Sequence, residues 1–243
     1  MFWWQDDVGQ DVRVAFTDRG AGNLALHTGD DADAVRSRRA ALERSMGVPR
    51  GSLVFLEQVH GTDVADADRA DRPAVPTADA AVTATGVPLA VMVADCVPVL
   101  LVGEGPGGSV VGVAHAGRRG LLDGVLERTV EQLRGRGARR LTAWLGPSIC
   151  GGCYEVPAAM REEAAARIPA VAATTSWGTP ALDLRAGARE RLSALEVGVV
   201  EPAAAGSSCT HENEQLSSHR RDPGSGRIVG LVWRTAPREE GAA

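Results

Sequence analysis

Three short motifs each place one side chain that suits a metal ion where an apolar stretch meets a polar one. They are Gln58-Val-His-Gly61, Ala94-Asp-Cys-Val97 and Ala114-His-Ala-Gly117. Two imidazoles and one thiolate suit zinc, and three protein ligands leave the fourth tetrahedral position to water or substrate. Because the spacings between His60, Cys96 and His115 match no local zinc-finger pattern, the residues alone also allow His115 to be a hydrogen-bonded structural histidine.

Two arginines follow the third motif and suggest an anion site. The run from Ala116 to Gly120 precedes a predicted helix over 121–133. Free backbone amides at a helix start, the helix dipole and a guanidinium together favour phosphate. We therefore predict that Arg119 contacts phosphate. The alternative is that Arg118 and Arg119 are solvated surface side chains.

Two further polar residues lie beside the candidate ligands. Gln58 precedes His60 by two positions, so on an extended segment both face the same side, and the Gln58 amide would either read the edge of a base or bond to backbone. Asp95, next to Cys96, would orient a ligand, take part in acid–base chemistry or serve a structural role.

The remaining cysteines carry a weaker signal. Cys150 and Cys153 form a CxxC pair, which is typical of half a structural zinc site or of a redox pair, but the sequence contains no second such pair. We interpret residues 153–155 as pocket-lining. Cys209 and His211 stand two residues apart, a spacing typical of local bonding in a loop, so we expect no second metal site.

Strands and helices must bring these distant motifs together. Apolar runs predict strands over 11–17, 53–59, 78–83, 109–115, 140–145 and 228–233, and one or two strands over 88–102 with a break at 95–98. Helical spacing predicts helices over 30–46, 121–133, 157–167 and 182–195. The candidate ligands therefore fall at predicted strand ends.

The whole chain bounds the class of protein. Its 243 residues are 44% hydrophobic, with a net charge of −5 and four cysteines. Such a composition provides a large core, offers no general basic surface for nucleic acid, and holds too few cysteines for a disulfide scaffold. The start of the chain is unlike a secretion signal, and the longest apolar runs are too short to cross a bilayer. We expect a cytoplasmic protein with no nucleic-acid or membrane partner.

Five motifs in sequence order resemble the YfiH family, also called the laccase-domain or polyphenol oxidase family and related to mammalian FAMIN. They occupy residues 58–64, 94–99, 113–120, 145–149 with 153–155, and 218–222. The resemblance extends from about Phe16 to Trp233. One departure is Arg118, because the family commonly has tryptophan there.

The resemblance implies an α/β (α+β) fold, a single YfiH-like domain over 1–243 with its core at about 11–235, in which mixed β-sheets form a sandwich flanked by helices. It implies zinc, or alternatively copper, held by His60, Cys96 and His115. It also implies a purine nucleoside phosphorylase that uses phosphate to cleave adenosine, inosine and methylthioadenosine into free base and ribose 1-phosphate or its methylthio analogue, with an adenosine deaminase side activity.

The resemblance also suggests roles for single residues. Cys96, His115 and Arg119 are the catalytic candidates. The substrate-binding candidates are Arg19, Gln58, Arg119, His219 and Arg220. At position 219 the family has an aromatic residue or histidine, which would suit stacking or acid–base work, and Arg220 would help to hold phosphate. We expect a monomer whose partners are purine nucleosides and phosphate.

Other functions compete with this interpretation. A copper-dependent polyphenol oxidase with a multinuclear centre needs many imidazoles, and the chain has five histidines. A cysteine hydrolase would use Cys96 as nucleophile and His115 as base. A non-catalytic protein that merely keeps the fold would be expected to have lost one of the key motif residues, and the chain retains His60, Cys96, His115 and Arg119.

Overall fold

Two large stacked β-sheets with helices on their outer faces and one small two-stranded sheet make up the fold in a computed structural model, which describes residues 1–9, 11–203 and 206–235. The strands are β1 (Phe2–Val8), β2 (Val12–Thr17), β3 (Val64–Asp66), β4 (Ala80–Thr83), β5 (Leu89–Val93), β6 (Val97–Gly105), β7 (Gly108–Ala116), β8 (Arg139–Leu145), β9 (Ala172–Thr174), β10 (Pro180–Leu182), β11 (Gly198–Val200) and β12 (Ile228–Arg234). The helices are α1 (Ala32–Met46), α2 (Arg118–Asp123), α3 (Val125–Gly135), α4 (Ala158–Arg167) and α5 (Leu184–Ala194).

The two large sheets differ in strand direction. One is antiparallel throughout, with the order β1-β2-β12-β5. The other has the order β11-β8-β6-β7-β4-β3, in which the pairs β11–β8 and β3–β4 are parallel and the rest antiparallel. At its centre β6 and β7 form a long hairpin, paired without a break from Val97 opposite Ala116 to Gly105 opposite Gly108. The expected sandwich of mixed sheets flanked by helices is confirmed.

Apolar side chains define the layers. Between the sheets, Phe16 and Val14 of β2 pack in one cluster with Leu100 of β6 and Val113 of β7. Because successive side chains of a strand point to opposite faces, Val99 and Leu101 of β6 face the other way and pack with α3 and α5. On the opposite side of the molecule, Leu42 and Met46 of α1 cover the outer face of β12 and β2. Each fully buried leucine contributes roughly 1.5–3 kcal/mol to this core.

The helices end where the sequence supplies caps. The Asp31 side chain accepts a hydrogen bond from the Ala34 amide at the start of α1, and Gly47 ends this helix with φ 71°. Gly124, with φ 98°, divides the region predicted as one helix over 121–133 into α2 and α3. Among the described residues, no helix combines the length and the apolar character that crossing a bilayer requires.

Most predicted strands form, but the one over 53–59 does not. This segment makes only isolated bridges, because its backbone bonds divide between two neighbours: the Val54 amide donates to Pro88, whereas the Glu57 carbonyl accepts from the Ala78 amide. His60 therefore lies in a loop rather than at a strand end. The region 88–102 forms β5 and β6 with the predicted break between them. The edge strand β1 and the short strands β3, β9, β10 and β11 were not predicted.

A methyl group at Gly146, just after β8, is expected to destabilise the fold. A Cβ at this position would overlap with the Phe16 ring, whereas a Cβ at Gly135 would meet open space at the end of α3. We expect Gly146→Ala to lower the free energy of unfolding by about 1–3 kcal/mol. The control Gly135→Ala should leave it unchanged or raise it by up to about 1 kcal/mol. Urea unfolding measures both, and equal midpoints would contradict this packing.

Candidate active site

His60, Cys96 and His115 converge at the open end of the β6–β7 hairpin, so the structure brings the three predicted ligands together. Their donor atoms all lie within 4.8 Å of one another. Cys96 Sγ is 3.9 Å from His60 Nε2, and the two imidazole rings meet edge to face with centroids 4.7 Å apart. Cys96 immediately precedes β6, and His115 is the penultimate residue of β7. The antiparallel register of the hairpin therefore places these two side by side.

A fully buried carboxylate, that of Asp79, holds two of the three ligands. Its Oδ1 lies 2.8 Å from His115 Nδ1 and accepts the His60 amide at 2.9 Å. Its Oδ2 accepts the amides of Gly61 at 2.7 Å and Val59 at 3.1 Å. These bonds hold His60 at φ 60°, a left-handed conformation that is uncommon for a residue with a side chain. Since Nδ1 of His115 faces Asp79, its Nε2 is left for a metal.

Charge pairing sets the ionisation of this group. Burial disfavours the thiolate, but the positive charge of His115 and hydrogen bonds from both histidines lower the pKa of Cys96 from 9.0 to about 6. Burial likewise disfavours the imidazolium, but the Cys96 thiolate and Asp79 raise the pKa of His115 to about 9. The pKa of Asp79 is lowered, because hydrogen bonds from His115 and the loop amides outweigh the effect of burial. Without a metal, Cys96 and His115 thus form a thiolate–imidazolium pair, and a metal cation must displace the His115 proton.

The turn before β6 is fixed from the opposite side. Asp95 has φ 88°, and its carboxylate accepts the Thr210 hydroxyl at 2.6 Å and the Arg220 amide at 2.7 Å. Its carbonyl accepts the Ile149 amide at 3.0 Å. Of the roles considered for Asp95, these contacts supply the positioning one, since they orient the residue that precedes Cys96.

Gly117 provides the space between the ligands. A Cβ at this position would lie 2.8 Å from His60 Cδ2 and 3.2 Å from Cys96 Sγ. The glycine that follows the third motif thus lets the chain pass close to the ligands without a side chain filling the centre. Two imidazoles and a thiolate around this space fit zinc or copper chemically.

The ligands open into a cavity of about 360 Å³, a size that suits a small-molecule ligand. Other polar and aromatic residues on its wall are Gln58, Asp95, Tyr154, His219, Arg220, Arg227 and His27. Three of the five predicted substrate residues, Gln58, His219 and Arg220, are therefore on the cavity wall. The Gln58 amide both donates to the Met92 carbonyl and accepts the Met92 amide, each at 2.8 Å, which is the second of the two roles considered for it.

Arg220 lies beside the Tyr154 ring on the cavity wall. Its guanidinium carbon lies 5.3 Å from the centroid of the Tyr154 ring, and Nη1 donates to the Glu155 carbonyl at 3.1 Å. Burial raises the pKa of the Tyr154 hydroxyl, and the positive charges of Arg118 and Arg220 only partly offset this. Arg118, whose place in the motif the family resemblance did not explain, is half-buried, and its positive charge favours the ionised form of the Tyr154 hydroxyl.

The other two predicted substrate residues lie elsewhere. Among the described residues that line the cavity, neither Arg19 nor Arg119 is present. Both side chains are exposed; the Arg19 amide is bonded to the Gln215 carbonyl, and Arg119 is the second residue of α2. The phosphate contact of Arg119 stays a prediction. Within the segment 153–155, only Tyr154 lines the cavity described here.

Sequence analysis missed three residues of this site: Asp79, Arg227 and His27. Asp79 directly precedes the apolar strand β4. An acidic residue in such a position is buried and needs a hydrogen-bonding partner, and this was the available signal. Arg227 follows the run 224–226 directly before β12. Burial lowers the pKa of Arg227, opposed by the negative charges of Cys96 and Asp95, and Arg227 lines the same cavity as Cys96. The pKa of His27 is also lowered, mainly by burial and to a smaller extent by the positive charge of Arg227.

Comparisons with known proteins identify the family to which the chain belongs. A model of the family described as multi-copper polyphenol oxidoreductase laccase matches residues 14–235. The chain is 45% identical to a purine nucleoside phosphorylase of Streptomyces coelicolor over 243 aligned residues, 94% of this chain and 98% of that protein. The crystal structure of a Neisseria meningitidis protein of family DUF152 matches with a TM-score of 0.82 at 32% identity, over 97% and 99% of the two chains. The crystal structure of the Bacillus licheniformis hypothetical protein YfiH matches with a TM-score of 0.76 at 25% identity, over 91% and 92%.

Removing the charge of Asp79 is expected to weaken metal binding. Asp79→Asn loses the carboxylate that orients His115 and the loop of His60, so zinc affinity should fall about 10–100-fold. Competition with a chromophoric chelator measures this affinity, and circular dichroism verifies the fold. Asp63→Asn, an exposed aspartate of the same region, is the matched control. Equal affinities in the two variants would contradict the role of Asp79.

Proposed function

We propose that this chain, which belongs to the multi-copper polyphenol oxidoreductase laccase family, is a purine nucleoside phosphorylase. Its proposed substrates are adenosine, inosine and methylthioadenosine, which phosphate cleaves to free base and ribose 1-phosphate or its methylthio analogue. The name of the Streptomyces coelicolor relative, a purine nucleoside phosphorylase 45% identical to this chain, supports this proposal. The observation that carries it is one cavity whose wall holds both the His60, Cys96 and His115 group and two arginines.

Arg220 and Arg227 are the proposed phosphate contacts. Both guanidinium groups belong to residues on the cavity wall, and a guanidinium binds phosphate oxygens in a bidentate manner. Burial lowers the pKa of Arg227 because its charge is partly removed from water, and an incoming anion would relieve this penalty. Arg119, at the start of α2, stays a further candidate for contact with the anion.

His60, Cys96 and His115 are the proposed ligands of zinc, with copper as the alternative. Bound there, zinc would act as a Lewis acid towards a substrate oxygen or a water molecule. The half-buried Cys96 supplies the thiolate that a metal requires at neutral pH. Asp79 fixes the orientation of the His115 ring, and Gly117 leaves the central space open.

Phosphorolysis forms a bond from a phosphate oxygen to the anomeric carbon and breaks the bond from that carbon to the purine nitrogen, while the base gains a proton. The ribose is cation-like in the transition state, so an oriented phosphate dianion stabilises it. Arg220 and Arg227 would orient the phosphate. Tyr154 keeps its proton because its pKa is raised, so its hydroxyl can donate a hydrogen bond. The Tyr154 and His219 rings offer faces on which a purine stacks.

Adenosine deamination is the second candidate activity. The observation that favours it is the set of three protein ligands, because a tetrahedral zinc with three ligands keeps one position for water. Zinc held by His60, Cys96 and His115 would activate water towards C6 of adenine, and the C6 amino group would leave as ammonia.

Two alternatives use the same residues differently. The family description suggests a multicopper oxidase, but the chain has five histidines, few for a multinuclear copper centre. The Cys96 thiolate beside His115 also has the chemistry of a cysteine hydrolase nucleophile. A thiol reagent separates the latter, since zinc should protect a ligand thiolate from alkylation.

Product analysis tests the proposal directly. With inosine, adenosine or methylthioadenosine, we expect free base and the ribose 1-phosphate product only when phosphate is present. Inosine formed from adenosine without phosphate would demonstrate the deaminase activity. Oxygen uptake with a phenolic substrate, following copper rather than zinc content, would favour the oxidase. No base released from any of the three nucleosides would refute phosphorolysis.

Charge removal at the arginines is expected to act on phosphate rather than on the nucleoside. Loss of one charge-assisted hydrogen bond amounts to about 1.5–3 kcal/mol, so Arg227→Ala and Arg220→Ala should each raise the KM for phosphate roughly 10–100-fold. Arg128→Ala, at an exposed position of α3, serves as the control. Arg119→Ala decides whether the start of α2 contributes as well. Unchanged phosphate dependence in the first two variants would exclude them as phosphate contacts.

A further inference from the structure

Three cysteines and a glutamate form a second group of side chains suited to a metal ion. They are Cys150, Cys153, Cys209 and Glu212, called the thiol cluster below. Their donor atoms all lie within 4.8 Å of one another. We propose that the thiol cluster is a structural zinc site that braces the wall of the active-site cavity. The expectation of no second metal site was based on Cys209 and His211, whereas the structure groups Cys209 with the distant CxxC.

The distances from Glu212 to two of the thiols are close to those of a tetrahedral zinc site. Zinc bound to sulfur at about 2.3 Å places neighbouring ligand atoms roughly 3.8 Å apart. Glu212 Oε1 lies 3.8 Å from Cys150 Sγ and 3.3 Å from Cys153 Sγ. Four protein ligands close the coordination shell, which is typical of structural rather than catalytic zinc.

Backbone bonds preform the thiol cluster. The amides of Cys153 and Tyr154 both donate to the Cys150 carbonyl at 3.0 Å, which folds the CxxC into a turn. The Ser148 amide donates to the Ser208 carbonyl, and the Thr210 amide donates to the Ser148 carbonyl, both at 3.1 Å. The loop after β8 and the loop that contains Cys209 are therefore paired directly beside the thiols.

The surrounding groups suit a thiolate cluster. The Cys150 amide donates to Cys209 Sγ at 3.4 Å, and the Ser207 hydroxyl donates to Glu212 Oε2 at 2.9 Å. Such bonds orient metal ligands and favour their charged forms. Zinc binding would release three thiol protons to solvent and leave a net charge of −2. Arg185, whose guanidinium donates to the Ser208 hydroxyl at 2.6 Å, supplies positive charge nearby.

Both loops braced in this way contact the residue before Cys96. The Ile149 amide donates to the Asp95 carbonyl, and the Thr210 hydroxyl donates to the Asp95 carboxylate. A metal in the thiol cluster would hold these two contacts in register. The second metal is thus positioned to stabilise the turn that presents Cys96.

Metal content of a variant that lacks the first site tests the proposal. The full-length His60→Ala/His115→Ala chain, loaded with zinc and desalted, is expected to retain one zinc per chain. X-ray absorption should show that this zinc is bound mainly by sulfur. Because this variant has lost the active-site imidazoles, the result does not depend on whether the protein is a phosphorylase.

Variants of the thiol cluster identify its ligands. In the same background, Cys150→Ser should lose the remaining zinc. Glu212→Gln, a milder change at an exposed position, should weaken zinc binding about tenfold or more. Glu214→Gln, an exposed glutamate of the same loop, should bind zinc as tightly as the parent. Zinc absent from the parent variant, or a Cys150–Cys153 disulfide found by mass spectrometry after purification under reducing conditions, would overturn the proposal.

Discussion

The hydrogen bonding of the buried Asp79 carboxylate is the interaction on which the candidate active site depends. It orients the His115 ring and gathers three consecutive amides around His60. Removing a carboxylate from water is costly unless its oxygens are hydrogen-bonded, and here both oxygens are. The same bonds therefore offset the burial of Asp79 and create the left-handed turn that directs His60 towards Cys96. The same hydrogen bonds of Asp79 therefore stabilise the fold and orient His60 and His115.

The two sides of Cys96 are built on different principles. On the histidine side, charge pairing sets the ionisation of Cys96 and His115. On the other side, the Thr210 hydroxyl and the Arg220 backbone amide donate hydrogen bonds to the Asp95 carboxylate and fix the turn that precedes β6. The first arrangement makes the thiolate available, and the second determines where it points. The cavity wall thus holds both a cysteine suited to a metal cation and the guanidinium groups of the exposed Arg220 and the half-buried Arg227, whose charge suits an anion.

Local signals in the sequence were sufficient for the central part of the molecule. The apolar runs that form β6 and β7 are long, and their ends carry Cys96 and His115, so these elements and ligands were predictable. The segment 53–59 was predicted wrongly, because its backbone bonds divide between two neighbouring segments. Asp79, Arg227 and the grouping of Cys209 with Cys150 depend on contacts between residues far apart in the chain. Periodicity and spacing carry no information about such contacts.

The β6–β7 hairpin places its turn far from the candidate metal site. Nine residue pairs join its two strands, which at about 3.4 Å per residue puts the turn at Gly105–Gly108 roughly 27 Å from the end that carries Cys96 and His115. Chain length and composition can change at that turn while the register at the metal-binding end is preserved. The hairpin thus separates the candidate metal site in space from the surface formed by its turn.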